Sequence, residues 1–293
     1  MLIRTGFDIR FETDREVPML ALLSVRPERC GDLRTPEVLN TEPSVPVSRY
    51  VDSFGNVASR LVVPAGGIRL FSDFVIADEG TPDPVVADAE QHPVPELPDE
   101  ALIYLLSSRY CEVELLADEA WAIAGSITGG WARVQALVDA AHERLQFDYQ
   151  RASSARTARS AWDERTGVCR DFAHLAITLC RAVNIPARYC TGYLGDIGID
   201  PVDYPMDFSA WFEVYLGGAW HTFDARHNRP RIGRIAMARG RDAVDTALTT
   251  SFGKARLTRF EVHTVEVASA DLDRPVADAA LPQRAVPVPG DAA

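Results

Sequence analysis

The chain has no apolar run that approaches the roughly 20 residues a membrane-spanning helix needs. Its opening, MLIRTGFDIR, lacks the continuous apolar stretch of a secretory signal. No CxxC pair occurs, and the five cysteines, at 30, 111, 169, 180 and 190, are odd in number and widely spaced. That argues against a disulfide framework and against zinc-ligand spacing. A calcium loop of EF-hand type is also missing, so no metal and no cofactor is expected. Basic residues do not cluster on one face, and 42 acidic against 30 basic side chains leave a net charge of −12. A nucleic-acid partner is therefore not expected. Together these absences predict a cytoplasmic protein with reduced thiols and no membrane partner.

What is present divides along the chain of 293 residues. Phe7, Ile9 and Phe11 alternate with polar residues, the period of a half-buried strand. Met19 to Val25 is an apolar run of strand length. Tyr50 to Val63 reads as strand, turn, strand around Phe54-Gly55-Asn56, and Ile68 to Ile76 as a further strand. Residues 1–80 are thus predicted to be a β-sandwich-like domain. Residues 81–99 hold five prolines among acidic residues and read as a stiff linker. Helical spacing follows near 100–106, over Leu115 to Ala124, and strongly from Trp131 to Leu145. Ser153 to Trp162 is a weaker helix. A long helix is expected from Cys169 to Val183, then a strand over Ala187 to Leu194. Trp211 to Leu216 and Ala219 to Ala225 read as a hairpin joined by Gly217-Gly218. Arg256 to Val267 is the last predicted strand. Residues 100–267 are taken as the core domain and 268–293 as a disordered tail.

One thiol stands out. Gly167 lets the chain turn into a helix that starts at Cys169. A helix start presents free N–H groups and partial positive charge, which predicts a depressed Cys169 pKa. The same N–H groups suit an oxyanion. The alternative is a small buried residue at a helix start. Cys180 and Cys190 lie in apolar contexts and read as packing residues.

The hairpin brings a second group of residues together. A two-residue loop at 217–218 places Ser209, Trp211, Glu213, Tyr215, Trp220, Thr222, Asp224 and Arg226 on one face. Ala210, Phe212, Val214, Leu216, His221 and Phe223 fall on the other, the apolar core face. Ser209 and Asp224 become diagonal neighbours about 7–8 Å apart. Trp211 and Arg226 would line a site there. Trp162, seven residues before Cys169, either walls the thiol or packs in the core.

Gly167-Val-Cys-Arg-Asp-Phe-Ala-His-Leu, Asn184-Ile-Pro-Ala-Arg-Tyr-Cys-Thr-Gly-Tyr193, Ala210-Trp-Phe-Glu-Val-Tyr and Phe223-Asp224 resemble the core of the transglutaminase-like superfamily. The segment before them resembles the N-terminal domain of bacterial transglutaminase-like proteins. The resemblance implies an α+β fold, with helices packed on an antiparallel sheet. It also implies a cysteine nucleophile, a histidine base and an aspartate that orients the histidine. By position Cys169 matches the nucleophile and Asp224 the aspartate. Where the family has His-Ala-Trp, this chain has Ser209-Ala210-Trp211, so a hydroxyl stands in place of the base.

Other histidines are poor substitutes on sequence grounds. His221 is on the opposite sheet face. His174 lies about 140° around the helix from Cys169. His92, His142 and His263 have no motif context. His227 follows the strand and can curl back past Asp224, so it is the candidate substitute base. The arginine run Arg226, Arg229, Arg231, Arg234, Arg239 and Arg241 either holds the C-terminal segment by ion pairs or meets an acidic substrate group. Two functions remain open. One is thiol-dependent acyl transfer or hydrolysis on peptide or glutamine amides, through a Cys169 thioester. The other is a catalytically impaired module that binds a peptide or protein.

Overall fold

A computed structural model of the chain describes residues 1–200 and 206–269. In chain order its strands and α-helices are β1 Leu2–Glu12, β2 Val17–Ala21, β3 Asn40–Glu42, β4 Ser48–Val51, β5 Val57–Val63, β6 Ile68–Ala77, α1 Asp99–Leu102, α2 Ala117–Ala124, α3 Gly130–Arg144, β7 Gln146–Phe147, α4 Ala158–Glu164, β8 Thr166–Gly167, α5 Cys169–Ala182, β9 Ala187–Tyr193, β10 Ser209–Leu216, β11 Ala219–Phe223, β12 Ile235–Gly240, β13 Thr249–Ser251 and β14 Arg256–Val267. The fold is α+β, as the sequence implies.

The first domain packs two four-stranded antiparallel sheets, β14-β1-β6-β3 and β13-β2-β5-β4. Alternation drives it. Ile3, Phe7, Ile9 and Phe11 of β1 meet Met19, Leu61, Val63, Leu70 and Phe74 in one apolar core. The domain is not confined to residues 1–80. β14 pairs along the whole of β1, from Leu2↔Val267 to Glu12↔Arg256, and β13 pairs with β2. The last part of the segment read as core domain therefore completes the N-terminal sandwich. The predicted tail lies almost wholly outside the described residues.

The second domain is the antiparallel sheet β11-β10-β9-β12 with helices on one face. Its central helix is α5, in which every residue from Asp171 to Ala182 is buried. The helix is buried on all sides, its Asp171, His174, Thr178 and Arg181 included, and α2, α3, α4 and the sheet enclose it. The α2 and α3 helices match the predicted spans closely. α4 is shorter than the 153–162 estimate because Thr157 caps it, accepting from the Ser160 N–H. No helix among the described residues is long and apolar enough to cross a membrane.

Arg181 staples this domain from within. It is 2% exposed and donates to the carbonyls of Ala187, Leu106 and Arg241 at 2.8–3.0, 3.0 and 2.5 Å. The turn after α5 is thereby tied to two distant loops.

Candidate active site

The hairpin register is the one its glycine turn predicts. Leu216 pairs with Ala219 and Phe212 with Phe223, and the even-numbered residues of β10 pack against α5. After Phe223 the strand β11 ends, so residues 209–211 of β10 have no neighbour on that edge. The start of α5 fills the gap: the Ala210 N–H points at the Cys169 sulfur. The thiol is thus met by the amide of the residue next to Ser209.

The turn into α5 is tightly built. The Val168 N–H donates to the Asp171 carboxylate at 2.9 Å. Arg156 donates to the same oxygen at 3.3 Å and Arg170 to the other at 3.2 Å. A Cβ on Gly167 would lie 2.6 Å from the Asp171 Cβ, so only glycine fits there. The bond from Val168 to Asp171, in the first turn of α5, fixes the backbone just before Cys169.

Asp224 is 5% exposed and surrounded by donors. Its Oδ1 accepts the N–H groups of Arg226 and His227, each at 3.0 Å. Its Oδ2 accepts from the His227 Nδ1 and from Arg234, each at 2.8 Å. Although burial works the other way, Arg234 and His227 hold the carboxyl far below its ordinary range. The loop is anchored from α3, where His142 meets the Ala225 carbonyl at 3.0 Å and Asp139 and Gln135 bind the Asn228 side chain at 2.8 Å.

The His227 imidazole is oriented by this loop. Burial lowers its pKa, against the pull of Asp224, which favours the neutral ring. With Nδ1–H donated to Asp224, Nε2 keeps its lone pair, the tautomer a general base requires. His221, His174 and His263 are committed elsewhere. His221 bonds the Leu216 carbonyl on the core face and meets Trp131 edge-on. His174 is fully buried between Tyr110 and Tyr189, each 5.0 Å away, and its pKa is pushed well down. His263 belongs to the sandwich, 3.0 Å from Asp73.

Two expectations change. The Cys169 pKa is not depressed: burial pushes the thiol up to about 11, and the nearby Asp207 and Asp171 add to this while Arg226 and the Ala210 amide oppose it. Desolvation outweighs the helix start because the partial charge there is small beside the cost of burying a thiolate. The polar face of the hairpin is also not open. Ser209, Trp211, Glu213 and Asp224 are 7, 2, 6 and 5% exposed. The linker and the first domain cover that face.

The other predicted lining residues separate. Trp211 lies 5.0 Å beneath the Arg234 guanidinium. Arg226 stacks on Phe147 at 4.1 Å, on the thiol side of the hairpin. Trp162 instead carries Arg144 over its ring at 4.3 Å and packs on the helical core. Among the described residues, three of the six arginines in the run make ion pairs, Arg234 with Asp83 and Asp224, Arg239 with Glu28 and Glu213, and Arg241 with Asp245. Asp207 was not singled out from sequence. Burial raises its carboxyl to about 6, and only its place two residues before Ser209 could have drawn attention to it.

Comparisons with known proteins agree with this geometry. Residues 120–225 match the family model of the transglutaminase-like superfamily. The chain therefore carries a transglutaminase-like core, with Cys169 at a helix start and Asp224 on the adjoining hairpin. A candidate cysteine protease from Cytophaga hutchinsonii has a similar crystal structure, with a TM-score of 0.79 and 28% identity over 92% of this chain and 91% of that one. An uncharacterized protein of Mycobacterium leprae is 34% identical over 83 residues, and the match spans only 30% of its length and 28% of this chain. The periplasmic domain of TgpA from Pseudomonas aeruginosa, bound to ethylmercury, aligns over 75% of each chain with a TM-score of 0.40 and 17% identity.

The raised thiol pKa has a direct readout. Alkylation of Cys169 by iodoacetamide, followed against pH by mass spectrometry, is expected to have a midpoint well above 8.5. A midpoint below the ordinary thiol range would show that the helix start wins after all.

Proposed function

We propose that the protein is a cysteine-dependent acyl-transfer enzyme acting on peptide or glutamine side-chain amides, with Cys169 as nucleophile and His227 as base. The observation that carries this reading is the 2.8 Å bond between the His227 Nδ1 and Asp224, in a loop whose Arg226 acts electrostatically on the Cys169 thiol. The similarity to a candidate cysteine protease over nearly the whole chain supports it.

In this reading Nε2 of His227 takes the thiol proton as sulfur attacks the amide carbonyl. The tetrahedral intermediate expels ammonia or an amine, which leaves with that proton, and a Cys169 thioester remains. Water or a second amine then attacks the thioester, and the thiol is regenerated. Arg226, which favours the thiolate, lowers the cost of the first step. A reducing compartment suits such a thiol.

The second reading, a peptide- or protein-binding module, is favoured by Ser209 at the family's histidine position and by a thiol held at about 11. Ammonia release from a glutaminyl peptide separates the two. Under the first reading wild type turns over, Cys169→Ala is inert, and His227→Gln is slower by about 10²–10⁴-fold, the usual share of a general base. If wild type is inert and Ser209→His alone creates activity, the base has been lost and the second reading holds.

A further inference from the structure

The linker reaches the histidine loop through the Asp83 carboxylate. Asp83 stands between Pro82 and Pro84, which have no N–H and restrict the backbone on either side. Its own N–H donates to the Arg231 carbonyl at 2.9 Å, and its Oδ2 accepts the Arg231 N–H at 2.8 Å. The linker is thereby docked on the segment that leads into β12. The same carboxylate meets Arg234, whose Nε lies 2.8 Å from Oδ2 and 3.1 Å from Oδ1.

Arg234 carries the contact inward. Its Nη2 donates to Oδ2 of Asp224 at 2.8 Å, the oxygen that also accepts from the His227 Nδ1. Trp211 lies beneath its guanidinium. The side chains of Asp83, Arg234 and Asp224 are 15, 7 and 2% exposed, so water screens them little. Burial works against the Arg234 charge, and Asp224 and Asp83 outweigh it. The three groups together carry one net negative charge, and a proton on His227 brings them to neutrality. Without Asp83 the same proton would leave a net positive charge in a buried place, which is costly. Beyond burial, Arg226 and Arg231 also disfavour a proton on the ring. From α3, Asp139 is bonded to the Gln135 and Asn228 side chains, and His142 to the Ala225 carbonyl.

We propose that Asp83 and Arg234 are positioning residues, which act through Asp224 to hold the His227 ring in place and to supply the charge balance that lets it take up a proton. The proposal deepens the reading of His227 as base and rests on it. Both residues lie outside 120–225, the stretch matched by the family model, and Asp83 belongs to the linker. The linker then tunes the base and does not only connect the two domains.

The test is a pH titration of the full chain with isotope-labelled histidine, followed by NMR, the His227 signal being assigned by its loss in His227→Gln. Asp83→Asn removes the charge with little change of shape: an amide oxygen in the Oδ2 place keeps both 2.8 Å bonds. The His227 midpoint is expected to fall by about half a pH unit in Asp83→Asn and to rise by about one in Arg234→Met. Loosening of the loop without a charge effect would move both midpoints up, toward that of an exposed histidine. A midpoint that stays or rises in Asp83→Asn overturns the proposal, and this variant decides alone if Arg234→Met does not fold. Ammonia release from a glutaminyl peptide tests the underlying reading separately. The acid limb of kcat/KM against pH is expected to move down with the NMR midpoint in Asp83→Asn. A limb that stays in place while the midpoint falls would remove His227 as the base and leave the charge coupling from Asp83 standing.

Discussion

Asp224→Asn is expected to reduce turnover by about 10³–10⁴-fold with little change in substrate affinity. The substitution keeps the shape of the side chain but reverses one of its roles. Oδ2 now accepts from both the His227 Nδ1 and Arg234. An amide offers an acceptor at only one of the two oxygen places. If its NH₂ takes the Oδ2 place, it opposes Arg234, and the imidazole must turn to the Nε2–H tautomer and loses its lone pair toward the thiol. If its NH₂ takes the Oδ1 place, it opposes the backbone N–H groups of Arg226 and His227, and the loop that holds the imidazole is disturbed. Steady-state kinetics against a glutaminyl peptide would show this as a fall in kcat. An unchanged kcat would mean that His227 is not the base. The same variant bears on acid stability. The Asp224 carboxyl titrates below its unfolded value, so it contributes stability above the ordinary carboxylate range and loses it as pH falls through the folded value. Asp224→Asn should therefore narrow the stability gap between pH 7 and acid.

The second large effect concerns folding. Arg181→Met is expected to cost about 3–5 kcal/mol, the range seen when one partner of a buried polar network is removed. Methionine fills much of the volume but donates nothing. The carbonyls of Leu106 and Arg241 lose their Arg181 donor, and that of Ala187 loses two. Burial already works against the charge, which lowers the Arg181 pKa. The geometry of several carbonyl partners outweighs that cost. Urea unfolding monitored by circular dichroism measures the difference. A loss below about 1 kcal/mol would mean that water replaces the guanidinium, because net hydrogen bonds are worth only that much.

Much of the core was legible locally. The glycine pair at 217–218 set the hairpin register, and apolar spacing placed α3 and α5 within a residue or two. Such features depend on neighbours in sequence. What sequence did not convey was how distant parts cover one another. The polar face of β10 looked like an open site, but the linker residue Asp83 reaches it through Arg234. The thiol looked activated, because a helix start is visible in sequence and the burial around it is not. The strand β12 went unread, its Met237 and Ala238 sitting among arginines and glycines that give no clear period. His227 was reached from its place after Asp224, but only the turn closed by the Asp224 carboxylate shows how the ring is held.

The sandwich that opens the chain is closed by strands that end it. β1 pairs over its length with β14, more than 240 residues later in sequence. While the chain is being synthesised, the first 80 residues can collapse but cannot complete either sheet. The thiol domain lies between them in sequence but shares that core, because Tyr193, Phe208, Ile235 and Met237 pack among the sandwich's apolar residues. A chain cut short before β14 would therefore leave β1 without one of its two partner strands and the shared core open.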